Sequence, residues 1–288
     1  MAEDSPHTIT ATVKNLNSEN FKPNGDWTVV VPRRGKQKRR NHPKIETIEQ
    51  AAWTPSDFET DLERESKLMQ KIQICITKLE NSDFYRTFLN QIQTPQILNY
   101  FTSILASEPK MQMVIYGIGS IDSYEPPRLQ LALAILIKRS FDWIGDIEVF
   151  DPVLSKTESQ VLEALGCSVL LVNEQGRRQV LKPTMFFMPH CEAVLYDNLL
   201  QANWQAEFLN RMVVFGNSFK RYAEFISEFK NCLSFDRSVN HVLAIRRFSI
   251  EVGIETVSDD FFRPFHDSSW HFFNLDPEME LELKSINY

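Results

Sequence analysis

The chain has 288 residues, of which 43% are hydrophobic and 24% charged, a composition that belongs to a soluble globular protein. Nine glycines and fourteen prolines exclude collagen-like and Gly/Pro-rich disordered chains, and no apolar run reaches the ~18–20 residues that a membrane helix needs. The formal net charge is −7, yet residues 33–44 hold seven Lys or Arg and no Asp or Glu. Without those seven the chain keeps 24 basic residues against 38 acidic ones, a net of −14. An acidic body is a poor general binder of nucleic acid, whose phosphates require a basic face. The basic tract is local.

Residues 1–25 are rich in Ser, Thr, Asn, Asp and Glu and cannot offset their ordering entropy, so they read as a disordered arm with no apolar signal segment. The run 26–32 (Asp-Trp-Thr-Val-Val-Val-Pro) is β-like and reads as an added edge strand or a docking peptide. Next comes the basic tract, with Arg33, Arg34, Lys36, Lys38, Arg39 and Arg40. It reads as a nuclear localisation signal, as a polyanion contact, or as a solvated tail.

From Thr54 a helical section is predicted, with Phe58, Leu62, Met69, Ile72, Ile76 and Leu79 as its apolar stripe. Shorter helices follow over 83–91 and 94–107. After Pro109 the pattern changes to alternating strands and helices. Strands are expected over 111–116, 147–150, 168–172, 184–188 and 212–215, with helices from Pro127, over 155–165 (closed by Gly166), 193–204 and 219–232. Residues 241–255 and 270–273 are expected to add strand material. Short strands buried on both faces and separated by helices describe a mostly parallel sheet in a Rossmann-like three-layer α/β sandwich. The chain is thus divided into an arm (1–52), a helical segment (53–108) and an α/β domain (109–288).

Five stretches carry a family resemblance: Val114 to Ser120 (VIYGIGS), Arg128 to Ala132 (RLQLA), Phe150-Asp151-Pro152, Phe187 to Cys191 (FMPHC), and Phe265 to Phe273 (FHDSSWHFF). Together with the Asp-Trp-Thr-Val-Val run and the Pro32-Arg33-Arg34-Gly35 that follows, they resemble plant members of the "sensitivity to red light reduced" (SRR1-like) family. The resemblance implies a nuclear and cytoplasmic regulator in phytochrome-linked light input to the circadian clock, acting through protein partners. It also implies a basal role, since animal and fungal relatives are associated with haem biosynthesis and the cytoskeleton. No catalytic residues carry over with it.

Read for chemistry, Gly117-x-Gly119-Ser120 after a strand is half of a dinucleotide or S-adenosylmethionine turn, where a missing Cβ lets backbone amides approach a phosphate or carboxylate. The third glycine is absent, and a plain glycine-rich βα turn explains the residues as well. Asp151 ends the second strand, where an acid can accept ribose hydroxyls or simply open an Asp-Pro turn. His190, leaving the fourth strand at the same edge, has the type of a general base, and Cys191 that of a thiol nucleophile or metal ligand. Gly117, Gly119, Ser120, Asp151 and His190 are therefore the candidate ligand site, for a cofactor whose identity the residues do not give. The cysteines show no zinc spacing; Cys75, Cys167 and Cys232 read as core. His266, Asp267, Ser268, Ser269 and His271 read either as an acid–base and nucleophile set in one loop or, more simply, as a turn leading into a terminal strand with His271 packed or capped. Two functions follow: a regulatory module acting through partners, or a nucleotide-cofactor-dependent transferase using the same sheet edge.

Overall fold

In the computed structural model the described residues are 52–55, 57, 61–228, 239–257, 259–278 and 281. The arm, the run 26–32, the basic tract, Phe58 and Cys232 lie outside them.

The first helix, α1 (Leu62–Glu80), starts at Asp61, whose carboxylate accepts the Glu63 and Arg64 N–H groups. The predicted start at Thr54 is therefore corrected: residues 52–55 and 57 are not helical, and Leu62 is 79% exposed. The buried stripe is Leu68, Ile72, Cys75, Ile76 and Leu79. Ser82 caps α2 (Asp83–Ile92), and Pro95 opens α3 (Pro95–Leu105), a position where the missing N–H costs nothing.

Strands and helices then alternate through β1 (Met111–Tyr116), α4 (Glu125–Ser140), β2 (Ile144–Phe150), α5 (Lys156–Ala164), β3 (Cys167–Val169) and β4 (Thr184–Met188). They continue through α6 (Ala193–Ala202), α7 (Ala206–Leu209), β5 (Met212–Asn217) and α8 (Phe219–Glu228). Last among the described residues come α9 (Asn240–Ile245), β6 (Ser249–Gly253), α10 (Phe262–Phe265) and β7 (Ser268–Phe273). The strand reading of 241–255 is half corrected, because His241–Ile245 is helical. Asp197 on α6 explains this: its carboxylate accepts the His241 and Val242 N–H groups (2.7 and 3.1 Å) and pairs with His241 Nδ1 at 2.9 Å. A carboxylate 44 residues away thus supplies the helix start.

The seven strands form one sheet in the order β3-β2-β1-β4-β5-β7-β6. The first five are parallel; β7 runs antiparallel between β5 and β6. The expected three-layer, mostly parallel sandwich is what forms. Side chains alternate between the faces as the two-residue strand period requires. Met113, Ile115, Met185, Phe187, Phe215 and Trp270 meet α1–α4 on one face, and Val114, Tyr116, Phe186, Met188 and Val214 meet α6–α9 on the other. The helices before β1 are locked to the first face by aromatic contacts: Phe88 lies 5.9 Å from Phe215, and Phe101 lies 4.8 Å from Trp143 and 5.2 Å from Phe272. The core is continuous from α1 to β7.

Candidate functional site

The chain runs β1, β2, β3 in one direction and then returns to β4 on the other side of β1. Such a reversal opens a crevice at the carboxyl ends of β1 and β4, the position where sheets of this kind bind ligands. Gly117 to Ser120 leaves β1 there, Asp151 leaves β2, and His190-Cys191 leaves β4.

Gly117 and Gly119 both adopt left-handed backbone, with φ of +66° and +75°, which costs other residues about 1–2 kcal/mol. A Cβ on Gly117 would stand 2.5 Å from Cys191 Sγ, and that thiol donates to the Tyr116 carbonyl at 3.1 Å. The missing side chain makes room for the protein's own sulfur. The Gly119 N–H donates to Asp151 Oδ2 at 2.7 Å, while Oδ1 accepts the Val153 N–H at 2.9 Å. Ser120 Oγ and the Asp122 N–H both donate to Glu158 Oε1 (2.7 and 3.0 Å), and Oε2 accepts the Ser155 N–H. The donors and acceptors that a nucleotide would use are paired with one another.

The segment before α1 covers the same edge. Trp53 donates from Nε1 to the Pro152 carbonyl and packs edge-on to Phe150, with ring centroids 5.7 Å apart. Asp57 accepts the Lys156 N–H at 2.7 Å, which places a carboxylate at the first residue of α5. Its other oxygen pairs with Arg64, and Arg64 Nε reaches Asp122 at 2.7 Å. Burial works to raise the Asp122 carboxyl, but Arg64 and then Lys71 outweigh it and hold the group below the usual carboxylate range.

The structure brings Gly117, Gly119, Ser120 and Asp151 together at this edge and turns His190 toward β5 and α10. The His190 N–H donates to Asn217 Oδ1, Nε2 lies 3.1 Å from the Pro264 carbonyl, and the ring lies 4.6 Å from that of His266. Its φ of +59° is held by these contacts. Burial, reinforced by the His266 charge, pushes the His190 imidazole down to about 4, so it is neutral near pH 7. Burial, and next Asp151, pushes the Cys191 thiol well up, away from the thiolate form that a nucleophile needs. His271 is fully buried in β7, stacked 3.8 Å from Phe219 with Nε2 on the Asn217 carbonyl, and so is packed as its sequence suggests. Ser268 and Ser269 belong to the strand rather than to the turn before it.

Reading by motif passes over Glu158, Trp53 and Asn217. Glu158 had a signal, since Ser155-x-x-Glu158 is a capping box and the structure closes it. Trp53 and Asn217 act through partners about 100 and 27 residues away and leave no local trace.

The pairing of Asp151 has a measurable consequence. Asp151→Asn removes the charge from a 6%-exposed acceptor of two backbone N–H groups, and losing a charged hydrogen bond costs about 1.5–3 kcal/mol. The thermal midpoint should fall by roughly 3–10 °C with no ligand added. An unchanged midpoint in differential scanning calorimetry would show that the Gly119–Asp151 bond contributes nothing.

Fold and site together define an α/β-sandwich protein in which the polar groups at the β1–β2 edge are paired with one another. The SRR1 domain model matches residues 97–272. The chain is 52% identical over 280 residues to Protein SENSITIVITY TO RED LIGHT REDUCED 1 of Arabidopsis thaliana, covering 94% of this chain and 98% of that protein. It is 34% identical over 221 residues to an SRR1-like protein of Mus musculus (69% of this chain, 86% of that protein). It is 24% identical over 154 residues to one of Drosophila melanogaster (54% and 53%). The chain belongs to the SRR1 family.

Proposed function

We propose that the protein is a regulator in red-light signalling that acts through protein partners, without catalysing a reaction at the β1–β2 edge. The observation that carries this is its 52% identity, over nearly the full length of both chains, to an Arabidopsis protein named for reduced sensitivity to red light. The self-paired crevice supports the non-catalytic form of the reading, because Gly119, Ser120 and Asp151 already satisfy one another or Glu158. A nucleotide-dependent transferase at that edge would first have to break these bonds. In its finer form the proposal places the protein in phytochrome-linked input to the circadian clock, in nucleus and cytoplasm, with the basic tract engaging an import receptor.

Complementation tests it. In Arabidopsis seedlings lacking the relative, this chain should restore the red-light response, and Asp151→Asn protein that accumulates normally should restore it too. Accumulated wild-type chain that leaves the seedlings insensitive would overturn the signalling role. Replacing Arg33, Arg34, Lys38, Arg39 and Arg40 by Ala, in a fusion too large to enter passively, should lower nuclear fluorescence several-fold; an unchanged ratio removes the import assignment.

A further inference from the structure

A second opening lies on the same sheet edge, at the far end from Gly117 and Asp151. It has a volume of about 530 Å³, within the range of small-molecule sites. Its walls are the carboxyl ends of β5 and β6, the start of β7 and the first turn of α8, and apart from Ile254 and the glycine Gly253 they are polar. Lys220, Arg221 and Arg246 line it together with Glu251 and Asp267 and with serines at 218, 268 and 269.

The charges are unequally used. Glu251 accepts the Ser218 and Ser269 hydroxyls and the Lys220 N–H, so its charge is matched by fixed donors and by the α8 terminus. Arg221 lies 3.6 Å from Asp267 and also pairs with Glu224. Arg246 makes no ion pair or side-chain hydrogen bond among the described residues, and Lys220 has only a 4.0 Å ion pair to Glu224 on its own helix. Two cations at the mouth are thus available to an anion. Ser268 is 2% exposed, and its Oγ has no partner among the described residues. Asp267, whose side chain is 30% exposed, holds φ of +53°, a left-handed conformation that Asp adopts more readily than most residues.

We propose that this cavity binds a small soluble phosphate monoester carrying free hydroxyls, of the sugar-phosphate class. Arg246 and Lys220 meet the phosphate, and the Asp267 carboxylate and the β7 serines meet the hydroxyls. A bare anion uses only half of this wall, because it offers no hydroxyl to Asp267. A neutral sugar leaves Arg246 idle. Only a ligand with both parts satisfies the cations and the acceptors together. Such a site would give a signalling module a small-molecule input, and it stands or falls independently of the red-light role.

Titration calorimetry on the full chain tests it, with inorganic phosphate, ribose, ribose 5-phosphate and vesicles containing phosphatidylinositol 4-phosphate as probes. Ribose 5-phosphate should bind at least tenfold more tightly than phosphate or ribose. Arg246→Gln, an exposed change that leaves the fold intact, should weaken it at least tenfold. Asp267→Asn, chosen because Asn tolerates positive φ, should weaken ribose 5-phosphate but not phosphate. Lys182→Gln, at the other edge of the sheet, should change nothing. Equal affinity for phosphate and ribose 5-phosphate would reduce the site to a cationic patch and overturn the proposal. No binding at 10 mM, binding indifferent to Arg246→Gln, or binding to vesicles alone would also overturn it.

Discussion

Replacing Trp270 by alanine should lower the thermal midpoint by roughly 10–15 °C. The indole is fully buried in β7 and sits where the helices before β1 meet the sheet: Phe215 lies 4.7 Å away, Phe101 5.5 Å and Phe88 5.8 Å. Removing a buried Trp costs about 3–5 kcal/mol in lost transfer energy and residual cavity, and the aromatic neighbours belong to three separate elements that cannot all collapse inward. For a domain of this size each kcal/mol moves the midpoint by about 2–4 °C. Trp270→Phe should cost much less, because the indole Nε1 has no hydrogen-bond partner among the described residues, and deleting it removes a buried unpaired donor. Equal losses in the two variants would mean that ring volume is not what holds α2 and α3 to the sheet.

Gly216→Ala should cost about 3 kcal/mol or more, for a different reason. Gly216 pairs with Met188 in the middle of the sheet, and a Cβ there would lie 2.8 Å from Tyr196 Cε1 and closer still to its hydroxyl. Tyr196 cannot yield easily: it is 1% exposed, its hydroxyl donates to the Met188 carbonyl, and it accepts the Asn217 N–H at 2.9 Å. Overpacking costs about 1–3 kcal/mol, and two buried backbone groups losing their partner add a similar amount. The damage should reach the loop after β4, since Asn217 also holds the His190 N–H and the Cys191 carbonyl. A double-mutant cycle with Tyr196→Phe isolates the clash: the pair should cost at least about 1 kcal/mol less than the sum of the single changes. Strict additivity would sink this account.

Much of the fold was legible along the chain. The apolar runs at 111–116 and 184–188 become β1 and β4 with the expected bounds, Gly166 follows α5, and the Asp-Pro pair at 151 ends β2. These features depend on residues within a few positions of one another, where period, caps and turn chemistry act. The short words around Gly117, Asp151, His190 and Trp270 likewise carry the family resemblance, because they are contiguous strings.

What the chain order could not carry is the pairing across it. Sequence placed Asp151 and Gly119 at one edge, but only the folded chain decides that they bind each other, with Trp53 and Asp57 laid over them from almost 100 residues away. The strand expected over 241–255 fails at 241–245, where the Asp197 carboxylate, brought up by α6, makes a helix. Capping residues at Thr54-Pro55-Ser56 suggest a start for α1 there; Asp61 capping and the use of Trp53 and Asp57 elsewhere start it at Leu62. The polar cavity beside β7 draws Ser218, Arg246, Glu251 and Asp267 from separate segments. Hydrophobic period and capping are local properties, whereas the partner of a buried charge is chosen by whatever the sheet order brings within 3 Å, and that order belongs to the tertiary structure alone.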